Sequence, residues 1–164
     1  LHMQSLCALA HYDFNQAGAY SYEQAFQVGR RLALTQQELE QLYRRAVFNI
    51  VARNQDDHTK NIAFLMDRRG TWRLAPAFDV TYSYNPDGAW TAQHQMSLQG
   101  KRDGFSRSDL LAAASFADIK NRRAREIVDE VILSVKSWKS YAQQAGVTPS
   151  VIAAIRRALR VGIK

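Results

Sequence analysis

The chain has 164 residues, 46 % of them apolar and 23 % charged, which is the balance of an ordinary globular protein long enough to bury a core. No apolar run is long enough to span a bilayer, no secretory leader pattern is present, and the single cysteine, Cys7, allows no internal disulfide. These features predict a cytoplasmic protein with no membrane attachment. The net charge of +7 is one-sided: residues 120–164 hold ten Lys/Arg against three Asp/Glu, and residues 1–119 hold twelve of each. Such an excess suits either a nucleic-acid or acidic-partner surface or the solvated face of two helices.

In chain order, residues 1–20 read as loop with a short helix near 3–10, and residues 21–34 as a helix. Thr35-Gln36-Gln37-Glu38 has capping-box spacing. Behind it Leu39, Leu42, Tyr43, Ala46, Val47 and Ile50 recur every three or four residues, predicting a helix with one buried stripe to about residue 52. A polar loop follows, then a strand at 61–66, a turn at Asp67-Arg68-Arg69-Gly70 and a partner strand at 71–75, broken by Pro76. Residues 81–105 read as mostly irregular, with a short strand at 93–98. Helices are predicted from 106 or 107 to 115, from 121 to 145, and from Thr148-Pro149 to about 160, with proline at the first helical position. No repeat or linker divides the chain, so the expected fold is a single mainly α domain over 1–164 with a small β-hairpin.

The chemistry concentrates in the polar loop, "N-Q-D-D-H-T-K-N" from Asn54 to Asn61. Asp56 and Asn61 are five residues apart, and Asp79 follows the predicted hairpin. Helix, polar loop, hairpin, then Asp is the order in which protein kinases place a catalytic loop and a metal-binding carboxylate, and Asp-x-x-x-x-Asn is their catalytic-loop spacing. An Asp there accepts the proton of an attacking hydroxyl, while an Asn carbonyl oxygen and a second carboxylate are hard ligands suited to Mg2+ beside phosphates. Lys60 can reach a phosphate oxygen as a point charge. His58 can donate to a phosphate or hold the loop in shape. The plainer alternatives are a turn-forming or capping Asp56, a loop amide at Asn61 and an Asx turn at Asp79. Asp57 has no role that spacing suggests and reads as a solvated or loop-bonding carboxylate.

These residues, "N-Q-D-D-H-T-K-N-I-A-F-L" with the later "W-R-L-A-P-A-F-D-V", resemble the C-terminal lobe of HipA-like serine/threonine kinases, the toxin half of bacterial toxin–antitoxin pairs. The specific motifs lie in residues 54–83, and the likeness extends over most of the chain. It implies a protein-kinase-like C-terminal lobe in which Asp56 is the catalytic base, Asn61 and Asp79 hold Mg2+, and His58 and Lys60 contact the ATP phosphates. It also implies a Ser/Thr protein substrate such as a translation factor, a helix-turn-helix antitoxin, and operator DNA. Asp79 departs from the ordinary kinase pattern by sitting in Phe-Asp-Val. The first 53 residues offer only Gly18 and Gly29 and no lysine, so no phosphate loop or strand lysine is present. With a start at Leu1, this predicts a lobe cut from a longer chain and inactive alone.

Two other functions fit the residues. One is a non-catalytic DNA- or partner-binding module using Arg122, Arg123, Arg125, Arg156, Arg157 and Arg160. The other is a metal-dependent hydrolase using Asp56, Asp57, His58 and Asp79, for which adjacent carboxylates are poorly placed.

Overall fold

A computed structural model describes residues 1–164. Its centre is α3 (Gln36–Ala52), and the reason is visible in its sequence. The apolar stripe from Leu39 to Val51 is buried, each large side chain contributing about 1.5–3 kcal/mol. Thr35 Oγ1 accepts from Glu38 N at 3.3 Å, and Glu38 Oε2 accepts from Thr35 N at 2.9 Å, which closes the capping box. Glu38 Oε1 also accepts from Leu74 N at 3.0 Å, so one cap residue fixes both the helix start and the last strand. The helix ends at Arg53, which takes a left-handed conformation and donates its N–H to Asn49 O.

Against α3 lie α2 (Tyr22–Arg31) and α5 (Asn121–Lys136), whose buried stripe runs Ala124, Ile127, Val128, Val131, Ile132, Val135. The short helices α1 (Leu6–Ala10) and α4 (Arg107–Ala113) and a 3-10 turn at Ala114–Ala117 close the sides of the core. No helix is long and apolar enough to cross a membrane.

Four expectations change. The hairpin is part of a three-stranded antiparallel sheet, because β1 (His2–Ser5) pairs with β2 (Ala63–Met66), which pairs with β3 (Trp72–Leu74). The expected helix over 3–10 therefore shortens to Leu6–Ala10, capped by Ser5. Residues 94–96 and 98 are buried, but 93–98 has no partner strand and makes only isolated bridges, Ser21 to Ser97 and Leu98 to Lys101. The latter closes over Gln99 and Gly100, both at positive φ.

The long C-terminal helix is broken at Ser137 into α5 and α6 (Trp138–Gln144). Ser137 Oγ bonds back to Leu133 O at 3.3 Å, a contact that bends helices. The break turns Trp138 so that its Nε1 donates to Ile152 O, at 3.3 Å, on α7 (Pro149–Ala158).

Candidate functional site

The polar loop leaves α3 and runs into a 3-10 turn, Thr59–Asn61, that delivers the chain to β2. Asn54, Gln55 and Asp57 are buried, and Asp56 between them faces out with 46 % of its side chain exposed. Each buried neighbour is tied to a different part of the fold. Asn54 Nδ2 donates to Asn49 Oδ1 at 3.0 Å, and Asn54 Oδ1 accepts from Ser83 Oγ at 3.2 Å. Gln55 Nε2 donates to Thr91 O at 3.1 Å. The Asp57 side chain is 0 % exposed; its Oδ2 accepts from Tyr22 OH at 2.6 Å and from His94 Nδ1 at 2.8 Å, and its Oδ1 from Gln95 N at 2.7 Å. Burial pushes the Asp57 pKa up, but His94 and the bonds from Tyr22 and Gln95 outweigh it and hold the carboxyl below its ordinary value.

Asp56 is fixed through its backbone. Its N–H donates to Ser83 Oγ at 3.0 Å, and its carbonyl accepts from Asn61 Nδ2 at 3.0 Å. The second bond closes the Asp-x-x-x-x-Asn loop on itself and leaves Asn61 Oδ1 free to meet a cation. Asn61 and Asp79 line one narrow cavity of ≈ 20 Å³ together with Tyr22, Asn49 and Asn54. Asp79 is exposed and has φ +52°, a conformation uncommon outside glycine that marks functional and turn positions.

Asp56, His58 and Lys60 line a separate, shallower cleft of ≈ 150 Å³ with Phe14, Asn15, Trp90 and Gln95. His58 Nε2 is 3.8 Å from Asp56 Oδ1, and His58 Nδ1 is buried without a partner. Lys60 Nζ sits 3.9 Å from the centre of the Phe14 ring, a cation–π contact that holds the ammonium in the same cleft. Asn61 joins the two clefts through its bond to Asp56. The five residues singled out in the sequence thus fall into two adjoining groups and not into one cage. No three His, Cys, Asp or Glu side chains converge to hold a metal ion.

Of the two readings of Asp57, the solvated one is corrected and the loop-bonding one holds: the carboxylate is buried and accepts from Gln95 N as well as from Tyr22 and His94. The hydrolase arrangement falls with it, since Asp57 faces away from Asp56. The basic helices are corrected in part. Arg123 is bound to Glu40, Glu126 and Glu130, and Arg160 is folded into the interior, whereas Arg156 and Arg157 are exposed. Two larger grooves, of ≈ 340 and ≈ 490 Å³, share Phe48, Val80 and Ser134, and the larger is almost wholly apolar. The ≈ 340 Å³ groove carries Arg44, Arg45 and Glu130, whereas the polar-loop residues line the smaller clefts.

The fold is that of a helical lobe whose small sheet and following loops carry the polar residues. The chain belongs to the family described as the HipA-like C-terminal domain, whose profile matches residues 1–139. Among solved structures it is similar to a chain in the complex of the toxin–antitoxin proteins HipA and HipB with operator DNA from Shewanella oneidensis MR-1. The TM-score is 0.75 at 16 % identity, covering 97 % of this chain and 42 % of that one. This chain therefore spans less than half the length of that relative. No curated protein matches the sequence.

Proposed function

We propose that the chain is the catalytic lobe of an ATP-dependent protein serine/threonine kinase of the HipA type. The observation that carries this reading is the closed Asp56–Asn61 loop. Three buried side chains and one amide clamp tie the loop to the fold, and the carboxylate left facing out is the Asp of the Asp-x-x-x-x-Asn spacing. Asp56 would accept the proton of a substrate Ser or Thr hydroxyl as its oxygen bonds the γ-phosphorus and the bond to the ADP oxygen breaks.

The donor set near Asn61 suits Mg2+. Asn61 Oδ1 and the Asp79 carboxylate are hard oxygen ligands on one cavity, and one or two such ligands plus phosphate oxygens are enough. Bound there, Mg2+ would neutralise phosphate charge. His58 and Lys60 border the adjoining cleft, where an ammonium and a ring N–H can meet phosphate oxygens. Such a site acts by positioning and charge neutralisation more than by covalent chemistry.

By the same reading the natural protein acts on a translation-related protein and is neutralised by a helix-turn-helix antitoxin. Operator DNA would meet the exposed basic residues of α5–α7. The relative solved with HipB and operator DNA supports the antitoxin and the DNA as partners.

The test is transfer of labelled γ-phosphate by the natural protein to a Ser/Thr protein. Asp56→Asn is expected to lower the rate about 100- to 10,000-fold, the usual loss on removing a general base. Unchanged transfer would remove Asp56 from the chemistry.

A second reading, a DNA- or partner-binding module, is favoured by one feature: residues 131–164 hold six Lys/Arg and no Asp or Glu. It calls for salt-dependent duplex binding by the isolated chain that Asp56→Asn leaves unchanged.

A further inference from the structure

Arg160 lies 104 positions after Asp56, beyond the residues that the family profile matches, yet it ends at the polar loop. Its side chain is 11 % exposed. Nη1 donates to Ile50 O at 2.8 Å, near the end of α3, and lies 2.9 Å from His94 Nε2. Nη2 donates to Gln55 Oε1 at 3.3 Å and pairs with Asp103. The Arg160 backbone N–H donates to Val51 O at 2.9 Å, which anchors the segment that carries it. The guanidinium also lies 5.5 Å from the centre of the Phe105 ring, whose edge meets His94.

A guanidinium has only donors, so the His94 nitrogen that faces it must present a lone pair. The proton of His94 is therefore on Nδ1, where it is donated to Asp57 Oδ2. This contact from the C-terminal segment and the Asp57 carboxylate thus set the same tautomer of a fully buried imidazole from its two sides, and that imidazole holds the carboxylate next to Asp56. Through Gln55 the same guanidinium holds the residue on the other side. Both flanks of Asp56 are thereby tied to Arg160.

We propose that Arg160 is a positioning residue: through His94–Asp57 on one side and Gln55 on the other, it fixes the loop that presents Asp56. This rests on the kinase reading for its catalytic consequence and on the hydrogen bonds alone for its effect on the loop. Glutamine at 160 cannot serve four acceptors at once, and its amide oxygen can turn toward His94 Nε2. Asp57 alone would then favour the Nδ1–H tautomer, and the grip on Asp57 would weaken. Lysine keeps the charge and the stem and can serve some of the acceptors.

The experiment compares wild type, Arg160→Gln and Arg160→Lys in this 164-residue chain by residue-resolved amide exchange and by nitrogen NMR of the His94 ring. For Arg160→Gln the amides of Asp56 and Gln95, which donate to Ser83 Oγ and Asp57 Oδ1, are expected to exchange about tenfold faster or more, while Val128 in α5 is unchanged. The His94 ring is expected to leave the single Nδ1–H form. Arg160→Lys, the variant to use if the glutamine form does not fold, is expected to fall between. A uniform rise in exchange across the chain, or none, would overturn the proposal, as would a wild-type His94 carrying its proton on Nε2.

In the natural protein Arg160→Gln is expected to lower kcat about tenfold with KM for ATP within about twofold. A raised KM with unchanged kcat would overturn the positioning role. Absence of phosphoryl transfer in the wild type would instead overturn the kinase reading, and the exchange pattern would still decide whether Arg160 fixes the loop.

Discussion

Asp56 and Asp57, adjacent in the chain, face opposite ways: the first has 46 % of its side chain exposed, and the second has none. One carboxylate is left available to a substrate while its neighbour, saturated by Tyr22, His94 and Gln95, fastens the loop from inside. Substitutions at the two positions should therefore separate chemistry from stability.

Asp56→Asn is expected to leave folding stability within about 0.5 kcal/mol of wild type, as for surface changes away from packed features. Its side chain makes no close bond that the fold needs. A urea titration of both chains checks this, and a loss of several kcal/mol would mean that Asp56 is a structural residue.

Asp57 governs the acid limb of stability. Its folded pKa lies below the ordinary value, so the folded chain binds fewer protons than the unfolded one at acid pH. The stability it contributes is fully present above the unfolded pKa of about 3.9 and is lost as pH falls through the folded pKa. The part of the urea midpoint that depends on Asp57 should be constant near neutrality and fall below about pH 4. Asp57→Asn should lower stability at pH 7 by about 3 kcal/mol or more and flatten that acid slope, since bonds to a charged group are worth about 1.5–3 kcal/mol each.

Tyr22→Phe removes one donor from Asp57 and the acceptor of Asn49 Nδ2. The expected cost is about 1–3 kcal/mol from the polar groups left unpaired. Thermal unfolding reads it as a fall of about 2–12 °C, on the scale of about 2–4 °C per kcal/mol for chains of this size.

Thr35→Ala should cost about 1 kcal/mol by opening the cap of α3. Thr35→Ser should cost much less, because serine keeps the accepting oxygen. Equal losses in the two would place the effect in packing of the methyl group.

Much of this was legible in the sequence, for physical reasons specific to each element. The stripe Leu39–Ile50 and its capping box are local signals, and α3 forms where they place it. Pro149 opens α7 as its position indicates. The third strand was not legible, because β1 pairs with β2 across some sixty residues and local periodicity carries no trace of such pairing. The strand expected over 93–98 does not form, although His94, Gln95, Met96 and Leu98 are buried there. At the site, the Asp56–Asn61 spacing was readable because it lies within one loop. The burial of Asp57 was not, because its partners Tyr22 and His94 lie 35 and 37 residues away. Arg160 counted among the basic surface residues by charge alone, and only the fold shows that it points inward.

The most direct measurement of the central claim is calorimetric titration of Mg2+–ATP into the natural protein, wild type and Asp79→Asn. The account calls for binding by the wild type and a loss of about tenfold or more in affinity for the variant, since in the proposed site Asp79 would supply one of two protein oxygens to the metal. Equal binding by both chains, or none by the wild type, would contradict it.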